Sequence, residues 1–474
     1  MTKDLTKGSV TKTLLMFALP MLIGNIFQQV YNIADTIIVG QKLGKDAIAA
    51  VGVSFPIVFL LIAVSMGIGT GASVVISQLF GAKKMQDIKK ASYTAIICSV
   101  IAGLIFTVGG ALITRPILGA LNTPENIMVM SEEYLRIIFF GSIFVFVYNI
   151  CTSIFNALGN SNTPLIFLII SAILNIVLDI YFITQLNLGV GGAALATVIA
   201  QSVAAIFAFI YLLIRLRKLT AKKVDKLFDT KLLKDIAKIG LPATIQQSFV
   251  SMGMMLLQGV VNSFGSDVVS GFTAACKIDS IAMMPILNLS NAVATFTAQN
   301  IGANKIDRVK QGLKSSILSA LIFSIVIAVL IFNFGNVFIE MFLDGDGNKE
   351  VIDFGVTYLR GISIFYLMMA FMFNFGAVLR GAGAMKVFML STLSNMIIRI
   401  GFAYMFKDSL GVDVIWMCIP VGWFVGTVVG AFGYFRGDWL NTNIISKEER
   451  KIIEEIVEAE NETNTINISE EDYV

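Results

Sequence analysis

The chain has 474 residues, of which 56% are hydrophobic and only 14% charged, and its net charge is +3. No soluble domain of this length needs so few charges, so the composition predicts an all-α polytopic membrane protein. Histidine is absent, and the four cysteines lie apart in apolar segments. We therefore expect neither a metal-dependent enzyme nor a disulfide framework.

Apolar runs follow one another along the chain and predict twelve transmembrane helices. Each run is long enough to cross most or all of a hydrocarbon core of about 30 Å. In chain order they lie at 13–40, 48–80, 92–114, 134–158, 163–184, 190–214, 237–263, 269–300, 312–339, 356–379, 386–406 and 412–435.

Lysines and arginines concentrate in alternate loops between these runs, at 83–90, 215–226 and 305–314. The intervening loops carry acidic residues and few bases. Because the cytoplasmic loops of membrane proteins are enriched in Lys and Arg, we expect a multi-pass protein of the plasma membrane with both termini in the cytoplasm.

The second half of the chain repeats the first. AKIGLPATIQQSF at 237–249 matches LMFALPMLIGNIF at 15–27, and TAQNIGANK at 297–305 matches ISQLFGAKK at 76–84. The register holds across two helices, which predicts two six-helix lobes related by a parallel pseudo-two-fold along the membrane normal, with a cavity between them. The predicted domains are an amino-terminal lobe at 1–218, a linker and carboxy-terminal lobe at 219–437, and an acidic cytoplasmic tail at 438–474.

Four polar residues of the first lobe fall in one layer of the predicted membrane. Asp35 lies on the first helix, Asn175 and Asp179 share one face of the fifth, and Thr197 lies on the sixth. Burying an ionisable group in hydrocarbon costs roughly 3 kcal/mol or more, so such groups usually mark an ion or substrate pathway. Oxygen ligands suit a hard cation, and two adjacent carboxylates can hold a proton. The pattern predicts an ion-coupling site for Na⁺ or H⁺, with no other metal. The alternatives are hydrogen bonds that only hold helices together, or an Asp35 that reaches the headgroup level.

The sequence marks the residues that would contact a transported molecule less clearly than it marks the ion site. Gln28, Asn32 and Asn149 are the polar residues that we expect to line the cavity and contact substrate. The second lobe carries three charges inside its predicted spans, Lys277, Asp279 and Arg399. Depth along their helices predicts that Asp279 and Arg399 neutralise one another, while Lys277 points to a different side of its helix.

Several stretches resemble the multidrug and toxic-compound extrusion (MATE) family. The likeness covers essentially residues 10–437, and the motifs recur in both halves. The stretches that carry it are PMLIGNIFQQVYNIADTIIVGQKLGKDAIAAVGVSFPI, SQLFGAKK, ALGNSNTPL, LNIVLDIYF, GLPATIQQ and TAQNIGANK.

This resemblance implies twelve helices in two lobes and export of organic, often cationic, compounds in exchange for Na⁺ or H⁺. It also implies an ion site in the amino-terminal lobe, because Asp35, Asn175, Asp179 and Thr197 match the residues that many bacterial members use. Members with a site in the second lobe carry acids on the seventh and tenth helices, and here the apolar spans of those helices have none. We therefore expect coupling in the first lobe.

A rival function is a flippase of a lipid-linked oligosaccharide or related lipid, which shares the two-lobe architecture. A flippase would favour a cationic cavity, which Lys277 and Arg399 could provide. The paired acids Asp35 and Asp179 favour an antiporter instead. A channel or receptor would not need the internal repeat, and no nucleophile cluster suggests an enzyme. The expected partners are a small organic substrate and membrane lipid, without nucleic acid and without a cofactor besides the coupling ion, and we expect a monomer.

Overall fold

The computed structural model describes residues 3–121, 123–219, 226–341, 349–442 and 444. These residues form α-helices joined by short turns, with two short 3₁₀ helices and no strand among them. The first half contains α1 Val10–Leu43, α2 Lys45–Gly81, α3 Met85–Ala120, α4 Glu125–Phe140, α5 Ser142–Ala157, α6 Asn162–Thr184 and α7 Gly189–Leu219. The second half contains α8 Thr230–Asn262, α9 Ser266–Gly302, α10 Ile306–Glu340, α11 Lys349–Ser363, α12 Tyr366–Ala382, α13 Met385–Leu410 and α14 Val414–Arg436.

Most of these helices are long and apolar enough to cross a membrane. Eight helical stretches qualify by length and hydropathy, one of which, Met385–Arg436, comprises both α13 and α14. Two bent pairs, α4 with α5 and α11 with α12, qualify when each is taken as one span. With the less apolar α8 added, these described helices make twelve spans, which confirms the predicted fold class.

The fourth and tenth predicted spans are not single helices. The chain bends by 48° between α4 and α5 and by 52° between α11 and α12. Hydropathy does not register such a bend, because the residues on both sides of it are apolar. The bend falls in the same span of each half, as an internal repeat requires.

The backbone itself repeats between the halves. Gly44 and Gly265 precede α2 and α9 with φ of 85° and 95°. Lys83 and Asn304 precede α3 and α10, and both adopt the left-handed conformation that side chains rarely take, with φ of 57° and 56°. Each pair is 221 residues apart, which is the offset between TAQNIGANK at 297–305 and ISQLFGAKK at 76–84. The turns that set the direction of successive helices are therefore equivalent in the two lobes.

The two lobes meet closely at the end of the bundle where α1 begins and α14 ends, here called the terminal end. Gly81 at the end of α2 lies against the backbone carbonyl of Gln299, and Gly302 at the end of α9 lies against the carbonyl of Gln78. A Cβ atom at either glycine would overlap the opposite backbone. These four residues, here called the glutamine crossing, are the repeat-related pairs of the sequence, and they meet across the pseudo-two-fold axis.

The two glutamine side chains of the crossing bond in the same manner, each donating from its amide nitrogen to a backbone carbonyl and accepting a backbone N–H at its amide oxygen. Gln78 Nε2 donates to the carbonyl of Gly381 at 3.1 Å, and Gln299 Nε2 donates to the carbonyl of Ala157 at 2.8 Å. Gln78 Oε1 accepts from the backbone N–H of Ile444 at 3.1 Å. The crossing is therefore a polar contact, here called the seal, in which both amide nitrogens and both amide oxygens have a backbone partner.

The segment before α1, residues 3–9, packs against the same glutamine crossing. The Leu5 N–H donates to Gln299 Oε1 at 3.0 Å, and the Leu5 side chain is wholly buried. Arg308 of α10 donates to the carbonyls of Leu5, Lys7 and Gly8 at 3.0–3.3 Å. Although this segment precedes the first lobe in sequence, it is fastened to the second.

The first helices of the two halves exchange partners at the terminal end. Leu14 and Phe17 of α1 are buried in the core of the second lobe. Ile236 and Ile239 of α8 are buried in the core of the first lobe. Gly71 of α2 also lies against the backbone carbonyl of Ile236, so the backbones of α2 and α8 are in contact. This exchange pins the lobes together near the termini.

Away from the terminal end, the helices that face the other lobe become exposed. Nearly every residue of α9 is buried over 288–302, while its first half alternates between buried and exposed. On α1, Gln28 and Asn32 are exposed, and so is Met254 on α8. The lobes therefore pack at the terminal end and diverge toward the opposite, distal end. The predicted acidic tail, 438–474, lies outside the described residues except for 438–442 and 444.

Candidate ion site and central cavity

Asp35 and Asp179 occupy the distal half of the first lobe and face one another. Asp35 comes from α1 and Asp179 from α6, and the two carboxyl groups lie within hydrogen-bonding reach of each other. Asp179 is completely buried. One oxygen of each group, Oδ1, is buried without a hydrogen-bond partner among the described residues. Two adjacent carboxylates repel, so the pair is stable only with a proton or a cation between its oxygens.

Asn175 and Thr197 complete the same site. In the amide orientation that satisfies both of its neighbours, Asn175 Nδ2 donates to Asp179 Oδ2 at 3.0 Å, and Asn175 Oδ1 accepts from the Thr197 backbone N–H at 3.2 Å. The Thr197 hydroxyl lies 3.3 Å from Asn175 Oδ1 and 3.1 Å from the carbonyl of Ala193, and its single proton can be donated to either oxygen. The structure thus brings together all four residues that the sequence predicted.

Two tyrosines that the sequence analysis did not single out lie beside the acids. Tyr31 of α1 and Tyr134 of α4 are close enough to both carboxyl groups to interact with their charge. On the distal side, an apolar cluster around Val39, Ile183 and Val190 packs against Tyr134. Tyr31 lies four residues before Asp35 on α1, a spacing that places the two side chains on one helix face and could have been found in the sequence. Tyr134 could not have been found in this way, because its position depends on how α4 packs within the lobe.

The site suits a small hard cation or a proton. It offers two carboxylates, an amide oxygen and a hydroxyl, all oxygen donors. Among the described residues, no group of three or more His, Cys, Asp or Glu residues is placed to hold a metal. A transition metal, which prefers nitrogen or sulfur ligands, therefore has no matching site in this part of the chain.

A polar cavity of about 220 Å³ lies between the lobes, directly above the glutamine crossing. Ser77 and Ala298, the neighbours of Gln78 and Gln299, form part of its wall. Its polar lining comes from both lobes and includes Asn149, Thr152, Asn156, Asn291, Thr295 and Arg380. The predicted contact residue Asn149 is thus placed in the cavity. Gln28 and Asn32 are not among the described residues that line it, and they lie exposed nearer the distal end of α1.

The direct ion pair predicted for the second lobe is not formed between its two described residues. Among the described residues, no salt bridge joins Asp279 to Arg399. Asp279 Oδ1 instead accepts from the Tyr366 hydroxyl at 2.6 Å, and Arg399 Nε is buried without a partner. α14 passes close to the base of the Arg399 side chain, because a Cβ added at Gly422 would lie 3.0 Å from the Arg399 Cβ. Tyr366 of α12 is therefore the hydrogen-bond partner of Asp279. The charges of Asp279 and Arg399 interact without a direct bond. Lys277, the third predicted charge, is exposed on α9.

The Tyr366–Asp279 bond gives a stability prediction. Tyr366→Phe removes the donor and leaves a buried carboxylate oxygen without a partner, which costs about 1–3 kcal/mol. We expect a lower melting temperature in detergent for this variant. Tyr404→Phe is the matched control, because the exposed Tyr404 hydroxyl makes only a 3.3 Å bond to the carbonyl of Leu256. Equal melting temperatures for the two variants would show that the Tyr366 bond does not stabilise the lobe.

Comparison with known proteins decides the family. The MatE family model matches residues 20–181 and 242–405, one match in each lobe. The chain belongs to the MATE family. It is therefore a multi-pass membrane transporter, as the resemblance of its motifs implied.

Similar proteins cover almost the whole MATE chain. It is 33% identical over 441 residues to the probable multidrug resistance protein YpnP of Bacillus subtilis, covering 92% of this chain and 97% of that protein. It is 25% identical over 377 residues to the multidrug export protein MepA of Staphylococcus aureus, covering 80% and 83% of the two chains. A solved structure described as an outward-facing conformation of a multidrug resistance MATE family transporter matches with a TM-score of 0.87 and 26% identity, covering 93% of this chain and 99% of that one.

Proposed function

We propose that this MATE transporter exports organic, cationic or amphipathic compounds such as drugs and toxins across the plasma membrane in exchange for Na⁺ or H⁺. The lobes alternate between a state open at the distal end and a state open at the terminal end, with both termini in the cytoplasm. The observation that carries the proposal is the facing pair Asp35 and Asp179, which lies within one lobe, with Asp179 buried and Asp35 partly buried, and is separate from the central cavity.

The acid pair supplies a site whose occupancy changes how two helices fit together. With a proton or Na⁺ between them, Asp35 on α1 and Asp179 on α6 attract the same particle. Without it, the like charges repel in a medium of low dielectric constant. Release of the cation therefore favours a different position of α1 relative to α6, which is the differential affinity that exchange requires.

α1 is the element that connects this site to the rest of the transporter. It carries Asp35 in its distal half, lines the central cavity through Met21, and packs Phe17 into the second lobe. Pro20 lies between these parts and removes one backbone hydrogen bond from the helix, so α1 can bend there. A shift at Asp35 is thus passed to the cavity wall and to the contact between lobes.

The named relatives support a drug-exporting role. YpnP is described as a probable multidrug resistance protein and MepA as a multidrug export protein. The flippase alternative is not favoured: the described lining of the central cavity contains neither Lys277 nor Arg399, and the relatives named here are not lipid flippases by description.

Dye efflux from proteoliposomes under an imposed gradient of either Na⁺ or H⁺ tests the proposal and names the ion. We expect an inwardly directed gradient of one of the two ions to accelerate efflux, and the same vesicles to show basal leak when that gradient is collapsed with an ionophore. Efflux that is equally slow under both gradients would contradict cation-coupled export.

A further inference from the structure

Arg380 is a charge that neither the ion site nor the fold accounts for. It lies at the end of α12 and is the charged residue in the described lining of the central cavity. Its guanidinium donates from Nη2 to Asn291 Oδ1 at 2.8 Å, and its central carbon lies 5.8 Å from the centre of the Phe388 ring. Both partners are neutral, so no carboxylate among the described residues balances the charge.

The cavity itself gives the direction of this side chain. Asn291 is the exposed residue within the otherwise buried stretch 288–302 of α9, and its exposure is explained by the cavity that it lines. Because Arg380 reaches Asn291, its guanidinium lies at the cavity wall. A guanidinium carries five N–H donors, and the bond to Asn291 uses one of them. Further donors are thus available to a molecule in the cavity.

Asn156 provides a second and independent sign of a polar ligand. It lines the same cavity from the first lobe, and its Oδ1 is buried without a hydrogen-bond partner among the described residues. Buried polar groups are normally satisfied, and exceptions call for an explanation such as a ligand. An acceptor from one lobe and a cation from the other together match a molecule that carries both an anionic group and a donor.

We propose that Arg380 and Asn156 form a subsite for the head of a zwitterionic amphiphile, in which Arg380 binds an anionic oxygen group, a carboxylate or phosphate, and Asn156 Oδ1 accepts from the donor group of the same molecule. Guanidinium binds such groups in a planar, two-bond geometry that an ammonium cannot reproduce. The cavity, at about 220 Å³, is smaller than the roughly 300–1,000 Å³ typical of drug-sized sites, so it takes the polar head of the molecule. The apolar remainder extends past Met21 and Met66 toward the distal opening.

This subsite rests on the proposed export function and extends its substrates from cations to zwitterions. The same chemistry fits two sources, the carboxylate of a transported compound and the phosphate of a lipid headgroup. The ligand would contact both lobes directly above the glutamine crossing, because Arg380 immediately precedes Gly381, whose carbonyl accepts from Gln78. Occupancy of the cavity is thus adjacent to the contacts that close the terminal end.

Binding of two matched dyes to the full chain in detergent tests the subsite without any ion gradient. Rhodamine 110 carries a free carboxylate, and rhodamine 123 is its methyl ester. We expect Arg380→Gln to weaken rhodamine 110 binding by about tenfold or more, as loss of a charge-assisted hydrogen bond does, and to leave rhodamine 123 binding nearly unchanged. Arg380→Lys should recover part of the rhodamine 110 affinity. Arg115→Gln, at an exposed arginine near the distal end, is the control.

A second arm distinguishes the lipid source. Phosphatidylethanolamine, whose headgroup carries both a phosphate and an N–H donor, is quantified by mass spectrometry in the wild type and in Arg380→Gln after exchange into phosphatidylcholine nanodiscs doped with that lipid, because phosphatidylcholine has no N–H donor for Asn156. Loss of bound phosphatidylethanolamine in the variant, with unchanged dye affinities, would assign the subsite to a lipid headgroup. Rhodamine 123 binding also reports that the variant is folded. Equal effects on both dyes together with unchanged lipid would overturn the proposal and leave Arg380 a structural residue. Because no gradient is used, a failure of ion coupling does not affect this result.

Discussion

Replacing either Asp35 or Asp179 by Asn is expected to reduce gradient-driven efflux to the level of protein-free liposomes. Asn keeps the size and most of the shape of the side chain but cannot lose a proton or supply a negative charge to Na⁺. The remaining carboxylate then has no partner with which to share a cation. Because coupling requires a ligand that binds one state better than the other, removal of one acid removes the difference.

The stability of these variants separates coupling from folding. The wild-type pair places two acids together in a buried site, so an Asn at one position relieves repulsion, and we expect the melting temperature not to fall. If Na⁺ is the coupling ion, added Na⁺ should raise the melting temperature of the wild type and not of the variants, as ligand binding to the folded state does. If H⁺ is the ion, this difference should appear on acidification instead.

Asp46→Asn is the matched control for both variants. Asp46 is an exposed acid in the first turn of α2, on the same lobe and near the same end of the bundle. It should transport as the wild type does. Wild-type efflux by Asp35→Asn or Asp179→Asn in correctly inserted protein would refute the assignment of the coupling site.

The ion site could be predicted because its signal is energetic and local. A carboxylate in an apolar run is costly wherever it points, so Asp35 and Asp179 stand out from composition alone. The four-residue spacing of Asn175 and Asp179 places them on one helix face without further information. Rise per residue then gives a common depth. All of these quantities are read along one helix at a time.

The second-lobe pair shows where that reasoning ends. Rise per residue placed Asp279 and Arg399 at similar depth, and the structure does not pair them. Depth fixes a position along the helix axis, whereas contact also requires a direction around it, and that depends on how neighbouring helices pack. Tyr366 bonds Asp279 because α12 packs on α9, and the Cβ of Arg399 lies close to Gly422 because α14 packs on α13. Tyr134 was missed for the same reason, whereas the four-residue spacing of Tyr31 and Asp35 could have been used.

The glutamine crossing could be predicted from the sequence only in part. The sequence repeat matched Gln78 with Gln299 and Gly81 with Gly302, but it did not show that they touch. Repeat-related residues meet only if they lie on the pseudo-two-fold axis, and the sequence gives no distance from that axis. The structure places all four there. A Cβ added at Gly81 or Gly302 would lie nearer to a backbone carbonyl of the other lobe than a Cβ added at Gly71 would.

Gly81→Leu is expected to drive the lobes apart at the terminal end. A Cβ at position 81 would overlap the backbone carbonyl of Gln299, and a backbone atom cannot turn aside as a side chain can. Overpacking of this kind typically costs 1–3 kcal/mol and can cost more. A cost of about 3 kcal/mol changes the ratio of two states by roughly a hundredfold, enough to make a minor, terminal-open state the major one. Gly302→Leu should act equally, because it meets the equivalent carbonyl of Gln78.

Distances between spin labels on the two lobes measure this change. Gln86 on α3 and Gln311 on α10 are exposed near the terminal end and can carry the labels in a chain without its four native cysteines. The distance distribution should move to longer values in Gly81→Leu. Gly52→Leu is the control on the same helix, since a Cβ there meets nothing within 4 Å.

The side-chain amides of the crossing should contribute less than its glycines to keeping the lobes closed at the terminal end. Gln78→Ala with Gln299→Ala removes four hydrogen bonds that hold Gly381, Ala157, Ile444 and Leu5. Each is worth about 1 kcal/mol net, but water can replace some of them once the seal opens. We therefore expect a partial shift toward longer label distances, smaller than that of Gly81→Leu. Label distances that match the wild type in both variants would mean that the crossing does not hold the lobes closed, and the hold would then lie with the exchanged starts of α1 and α8.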